Sequence, residues 1–209
     1  MNDTIILVDN ADEETGYGEK MQVHLKGQLH RAFSLFIVNK EHEVLIQKRA
    51  HNKYHSGGLW TNACCSHPRK GESIETSIRK RVLDELGMDI SDSIVYEINE
   101  LGRFKYFKQF DKYAEHEIDH VFVMYINNRL ELHPNPDEVS EIKWMDLWNL
   151  GDWMLSNPED FTAWFFAVYN MYIWQEIWNP TMICSPISGE LIKLLRERME
   201  KVDYEGPFY

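Results

Sequence analysis

The stretch TNACCSHPRKGESIETSIRKRVLDELG, residues 61–87, decides how the rest of the chain is read. Its second half is a helix with both ends marked. Ser73 follows Gly71-Glu72 and suits an N-cap, because its hydroxyl can accept from a free N–H of the first turn. Ile74, Ile78, Val82 and Leu86 recur every four residues and form one apolar stripe. Gly87 supplies the residue at which such a helix stops. Arg79, Lys80, Asp84 and Glu85 fall on the opposite, polar side. The first half differs: Leu59–Cys65 reads as a strand that runs into a dense group of reactive side chains.

Working outward, Ala32–Val38 and Val44–Gln47 are short apolar runs separated by the polar group Asn39–Glu43, which predicts a hairpin. Ala11–Gly18 is acidic and punctuated by glycine, as expected of a loop or an exposed edge. Downstream, strands are expected at Ser93–Glu97, Gly102–Phe107, Ile118–Ile126 and Ile142–Met145. The pattern then turns helical over Asp146–Leu155, Pro158–Trp178 and Ser188–Val202. Strands first and helices gathered late predict an α+β domain with a mixed sheet. No repeat or low-complexity linker divides the 209 residues, so one domain over 1–209 is expected. That length buries a core without disulfide staples.

The chain carries 22 basic and 34 acidic side chains, a formal charge of −12. Such a balance argues against general binding to nucleic acid or to an anionic membrane. It leaves room for a small anionic substrate where basic residues gather. Cys64 and Cys65 are neighbours, a poor geometry for a disulfide, and Cys184 has no evident partner. Three reduced thiols and the absence of a basic, apolar leader in MNDTIILVDN predict a cytoplasmic protein. The aromatic run Phe161–Trp178 contains Asn170, Gln175 and Glu176 and reads as a buried helix rather than a membrane span.

Three groups of residues carry chemistry: His24 with His30, the run Thr61–Pro68, and Glu115-His116-Glu117. Residues two apart in a strand share a face, so Glu115 and Glu117 project together, as do Cys65 and His67. Two carboxylates on one face repel unless a cation lies between them, and imidazole with carboxylate suits a divalent metal. A second set is basic: Arg49, Lys53, Arg69, Lys70, Arg79, Lys80 and Arg81, a supply of charge for a diphosphate.

The helix invites comparison with the box of Nudix pyrophosphohydrolases, G-x5-E-x7-R-E-U-x-E-E-x-G-U, where U is apolar. Ending that pattern on Gly87 aligns Glu72 with its first glutamate and Asp84-Glu85 with its E-E pair. It puts Ser66 at the glycine and Lys80-Arg81 at R-E. One metal-binding carboxylate is thus replaced by Arg81, a cation able to hold a diphosphate without cleaving it. A Nudix-like fold with altered chemistry is expected, with a pyrophosphohydrolase of a small diphosphate as the alternative.

Taken together, Leu59-Trp60-Thr61-Asn62-x-x-Cys65-x-His67-Pro68 and Gly71-Glu72-Ser73 resemble the signature of type I isopentenyl-diphosphate isomerases. The likeness extends through Leu29-His30-x-Ala32-Phe33-Ser34, Gln47-x-Arg49-Ala50, Asp84–Gly87, Phe104-x-Tyr106 and Glu115-x-Glu117. It implies a Nudix-like sheet domain flanked by helices, with a catalytic core over about 20–166 and a C-terminal helical extension over about 167–209. It implies interconversion of isopentenyl and dimethylallyl diphosphate. His24, His30, His67, Glu115 and Glu117 would hold a divalent metal, whether manganese, magnesium or zinc. Glu85 would help bind a second magnesium that travels with the diphosphate. Cys65 and Glu117 would be the acid–base pair, with Tyr106 hydrogen-bonded near Glu117 and Trp164 facing the reacting carbons. Lys20, Arg49, Lys53 and Arg81 would contact the diphosphate. Cys64 is a departure, an extra thiol beside the matched cysteine.

Overall fold

His30–Asn39 (β3) alternates between two cores, and that alternation organises the molecule. Phe33, Leu35 and Ile37 point to one side of the sheet, while Phe36 and Val38 point to the other. The computed structural model describes residues 3–90, 95–127, 130–177 and 187–208.

β3 pairs in parallel with Tyr113–Ile126 (β8), from His30↔Glu117 to Asn39↔Ile126. β8 pairs antiparallel with Val95–Phe110 (β7), whose far side takes Glu205–Phe208 (β10). On the other flank, β3 meets Thr4–Val8 (β1), which pairs with the exposed edge strand Glu14–Glu19 (β2). The last turns of β3 pair with Glu43–Arg49 (β4), forming the expected hairpin. β4 also pairs with Trp60–Asn62 (β5) and Val139–Asp146 (β9), and Cys64–Ser66 (β6) joins β3 at Phe33–Leu35.

Ile74–Leu86 (α2) covers one face. Ile78, Val82 and Leu86 are fully buried against Phe33, Leu35, Ile37, Leu45 and Met124. Each such aliphatic side chain contributes roughly 1.5–3 kcal/mol by leaving water. The Ser73 hydroxyl accepts from Thr76 N, and Gly87 ends the helix at φ 64°. A Cβ there would also lie 2.6 Å from the His133 carbonyl oxygen. The opposite face is covered by Leu147–Ser156 (α3), Phe165–Ile177 (α4) and Gly189–Glu200 (α5), packed on Phe36, Val38, Val44, Val121 and Val123. Asp146 caps α3 and Ser188 caps α5 through their side chains. This is the mixed-sheet α+β architecture that the order of elements predicts. Among the described residues, no helix is long and apolar enough to cross a membrane.

Several expectations are corrected. Leu59–Cys65 is two short strands, because the chain passes from β4 to β3 at Ala63. The Asn62 amide bridges the break by donating to Leu35 O (3.2 Å) and Cys64 O (2.7 Å). The strands expected around 93–97 and 102–107 are one strand, β7, with register shifts between Val95 and Glu97 and between Glu100 and Gly102. Each shift breaks the alternation that marks a strand in sequence. Ser93 and Ile94 lie outside the described residues, as do Trp178 and Cys184. Pro158–Trp178 is not one helix: a single 3-10 turn at Pro158–Asp160 gives way to Phe161, which bridges to Trp60, and α4 begins at Phe165. Val202 lies beyond the end of α5. β1, β10 and the short helix Lys20–Lys26 (α1) were not expected. Glu85, on the polar side of α2, is 4% exposed because that side turns inward at its end.

Candidate active site

Along one face of the sheet the side chains change from apolar to polar. On β8 the row runs Val123, Val121, Asp119, Glu117, Glu115; on β3 beside it, Val38, Phe36, Ser34, Ala32, His30. The parallel register sets these polar ends next to each other, with His30 opposite Glu117. α1 adds His24. Glu19 caps this helix, and Gly27 ends it in a left-handed conformation before β3 begins. β6 adds Cys65, opposite Ser34 on the same face, and then His67. Cys64 points the other way, into the core under α2.

His24, His30, His67, Glu115 and Glu117 form a buried cluster whose candidate ligand atoms all lie within 4.8 Å of one another. Glu115 Oε2 is 3.0 Å from His24 Nε2, 3.8 Å from His30 Nε2 and 4.0 Å from His67 Nε2. Glu117 Oε1 is 2.7 Å from His67 Nε2 and 3.5 Å from His30 Nε2. The Nδ1–H groups of His24 and His30 donate to the carbonyls of Lys20 (2.6 Å) and Gln28 (2.8 Å). Both Nε2 lone pairs therefore face the carboxylates. Within the described residues, His24 Nε2, His30 Nε2 and Glu115 Oε2 are buried yet make no hydrogen bond. Buried acceptors converging without a donor are costly unless a cation satisfies them all, so this donor set fits a divalent metal.

Cys65, Tyr106, Glu85, Lys20, Arg49, Lys53, Arg81 and Trp164 line one cavity together with His67, Glu115 and Glu117. His24 and His30 lie behind it, 0% exposed. Every residue given a role by the family resemblance is thus in or directly behind a single site, whereas Arg69, Lys70, Arg79 and Lys80 of the basic set do not line it. Burial, with Asp119 and Glu85 nearby, pushes the Cys65 thiol up to about 12, so it is neutral at ordinary pH. Its S–H donates to Asn62 Oδ1 at 3.2 Å. Burial and the neighbouring Glu115 raise Glu117. Burial would raise Glu115 as well, but the adjoining His24 and His55 imidazoles hold it well below the usual range. Tyr106 stands opposite Glu117 in the β7–β8 register; burial and the neighbouring Glu117 raise its phenol far above the ordinary value.

Arg81 Nε donates to Glu85 Oε1 (2.7 Å) and Arg81 Nη2 to Glu138 Oε2 (2.7 Å), while Lys53 also pairs with Glu138. The Arg49 guanidinium lies over the Trp164 ring at 5.3 Å. Gln47 Nε2 donates to Glu85 Oε2 at 2.8 Å. Sequence reasoning did not single out Asn62 for a role, nor Tyr54, His55, Asp119 and Glu138, all of which touch or line this cavity. Asp119 was legible as the next same-face residue after Glu117. His55 and Glu138 come from irregular segments without a periodic signal.

The NUDIX domain model matches residues 28–165. The chain is 38% identical over 180 residues to isopentenyl-diphosphate Delta-isomerase 2 of Photorhabdus laumondii, covering 85% of this chain and 96% of that one. It is 40% identical over 174 residues to isopentenyl-diphosphate Delta-isomerase 2 of Aromatoleum aromaticum, covering 83% and 88%. The crystal structure of DR0079 from Deinococcus radiodurans is similar in fold, with a TM-score of 0.58 at 18% identity over 73% of this chain and 89% of that one.

Proposed function

We infer the reaction from one premise: the chain belongs to the isopentenyl-diphosphate Delta-isomerase family of NUDIX domain proteins. It interconverts isopentenyl diphosphate and dimethylallyl diphosphate. The observation that carries the reading is a neutral thiol, Cys65, and a buried carboxyl, Glu117, lining the same cavity as four cationic side chains.

Moving the double bond by one carbon adds a proton to the terminal methylene carbon and removes one from C2, the carbon next to the diphosphate-bearing methylene. Charge accumulates on the tertiary carbon between them. Cys65 and Glu117 are the two groups that exchange these protons: one enters the cycle protonated, the other deprotonated, and the reverse reaction exchanges their parts. Burial keeps both from being held as solvated anions. Tyr106 orients the Glu117 carboxyl. The Trp164 ring offers a π-face to the developing cation, an interaction worth about 2 kcal/mol when desolvated, and the closed, aromatic wall keeps water from trapping it.

Lys20, Arg49, Lys53 and Arg81 bind the diphosphate and so hold the reacting carbons in place. His24, His30, His67, Glu115 and Glu117 would hold a divalent ion, whose charge would fix the Glu117 carboxylate, and Glu85 would help hold a magnesium ion that would offset the charge of the diphosphate. Three imidazoles favour a transition metal such as manganese over magnesium, and five donors exceed the four of a tetrahedral zinc site. Reduced Cys64 and Cys65 fit a cytoplasmic enzyme. Hydrolysis is disfavoured because Arg81 occupies a carboxylate position of the hydrolase box and neutralises Glu85.

Proton NMR of isopentenyl diphosphate incubated with the protein and magnesium tests the reading. The terminal methylene signals decline and a second methyl signal grows, without phosphate release. Phosphate release with no isomer would overturn it.

A further inference from the structure

The two oxygens of Glu115 have different neighbours. Oε2 faces the imidazoles of His24, His30 and His67. Oε1 faces away from them, 2.5 Å from His55 Nε2 and 3.4 Å from the Tyr54 hydroxyl. His55 is not one of the five residues whose ligand atoms converge.

The His55 ring is held on every side. It stacks on Phe110 at 4.5 Å and 14°, meets Tyr54 edge-on at 4.5 Å and stands edge-on to Trp164 at 5.8 Å. It is 8% exposed. Its Nδ1 lies 3.1 Å from Ser56 Oγ, whose hydroxyl donates to it, leaving the ring proton on Nε2 to donate to Glu115. The turn behind it is built for this position. Ser56 and Gly58 have φ of 51° and 77°, and a Cβ on Gly57 would meet His51 O at 2.6 Å. The Arg49 side chain closes the turn by donating to the His55 carbonyl at 3.4 Å.

We propose that His55 is a positioning residue for the metal centre: by holding Glu115 Oε1, it turns Oε2 alone toward the ion. A carboxylate free to rotate would offer either oxygen, or both, and would lose orientation each time an ion bound. Fixing one oxygen from outside removes that cost, as outer hydrogen bonds to metal ligands do generally. Tyr54 adds a second, longer contact to the same oxygen. The same ring touches Trp164, so the wall facing the reacting carbons and the orientation of a metal ligand rest on one side chain.

The proposal rests on reading the His–Glu cluster as a metal centre. The test is manganese affinity of the full chain after chelator treatment, measured by the electron paramagnetic resonance signal of free Mn2+, with no turnover required. His55→Phe keeps the ring and its stacking but cannot donate. His55→Gln places an amide N–H near the position of Nε2. Expected is a rise of about 10–100-fold in Kd for His55→Phe, with His55→Gln returning most of the wild-type affinity. Wild-type affinity in His55→Phe overturns the proposal, because packing alone then suffices; so does a His55→Gln protein as weak as His55→Phe. A wild-type chain that binds no divalent ion brings down the metal reading itself, and this proposal with it.

Discussion

The Cys65 thiol donates to Asn62 Oδ1 at 3.2 Å, while the Asn62 amide nitrogen is spent on the carbonyls of Leu35 and Cys64. The strand break at Ala63 and the state of the thiol therefore share one side chain. Thr61 donates to the same Asn62 oxygen at 2.9 Å, and Thr162 donates to Thr61 at 3.1 Å.

Cys65→Ala should abolish isomerisation in a protein that still folds, because a methyl group carries no exchangeable proton. Cys64→Ala should keep activity and lose on the order of 1 kcal/mol of stability, since Cys64 is buried in the opposite core. Turnover and denaturant unfolding of the two variants decide the matter. An active Cys65→Ala protein contradicts the assignment.

One tightly held divalent ion per chain is expected, bound through the His–Glu cluster. Elemental analysis after removal of loosely bound ions checks this. The double variant His67→Ala, Glu115→Ala should retain almost none, and an unchanged metal content there would sink the ligand assignment.

Arg81→Ala should raise KM for the diphosphate, with a loss on the order of 1.5–3 kcal/mol for a charge-assisted contact. Arg81 also balances Glu85 and Glu138, so some stability is lost too, and the KM change is the diagnostic. Steady-state kinetics with wild-type KM would mean that the guanidinium serves only its two carboxylates. Arg81→Glu should destroy isomerisation by setting a third acid against the diphosphate.

Away from the cavity, both ring nitrogens of His120 are held by carboxylates, Nδ1 by Glu100 at 2.7 Å and Nε2 by Asp12 at 2.9 Å. Burial opposes the charge, but these hydrogen bonds outweigh it and raise His120 to about 9. A cation held more tightly in the folded than in the unfolded chain stabilises fully below the unfolded pKa, near 6.5, and loses that contribution as pH rises through about 9. The stability gap between wild type and His120→Gln should therefore be largest near pH 6. It should narrow by on the order of 3 kcal/mol above pH 9. Denaturant midpoints at the two pH values test this, and a gap independent of pH would be the contrary result.

Much of this was legible in the sequence for identifiable reasons. α2 announces itself through Ser73, a four-residue apolar stripe and Gly87. The pair Glu115 and Glu117 follows from strand period alone. What stayed hidden depends on irregular backbone or on contacts distant in sequence. The bulges in β7 split one strand into two apparent ones. α1 is a single short helix whose cap is Glu19, a residue type that gives little warning. His55 and Glu138 reach the site from turns, where no periodicity points inward.

The most direct measurement is the position of deuterium in dimethylallyl diphosphate formed from isopentenyl diphosphate in heavy water. If Cys65 and Glu117 exchange protons with solvent and deliver them as described, early product carries deuterium in one methyl group, and Cys65→Ala gives neither product nor label. Product formed without deuterium would mean that the same proton moves intramolecularly between the two carbons, contrary to a two-group mechanism.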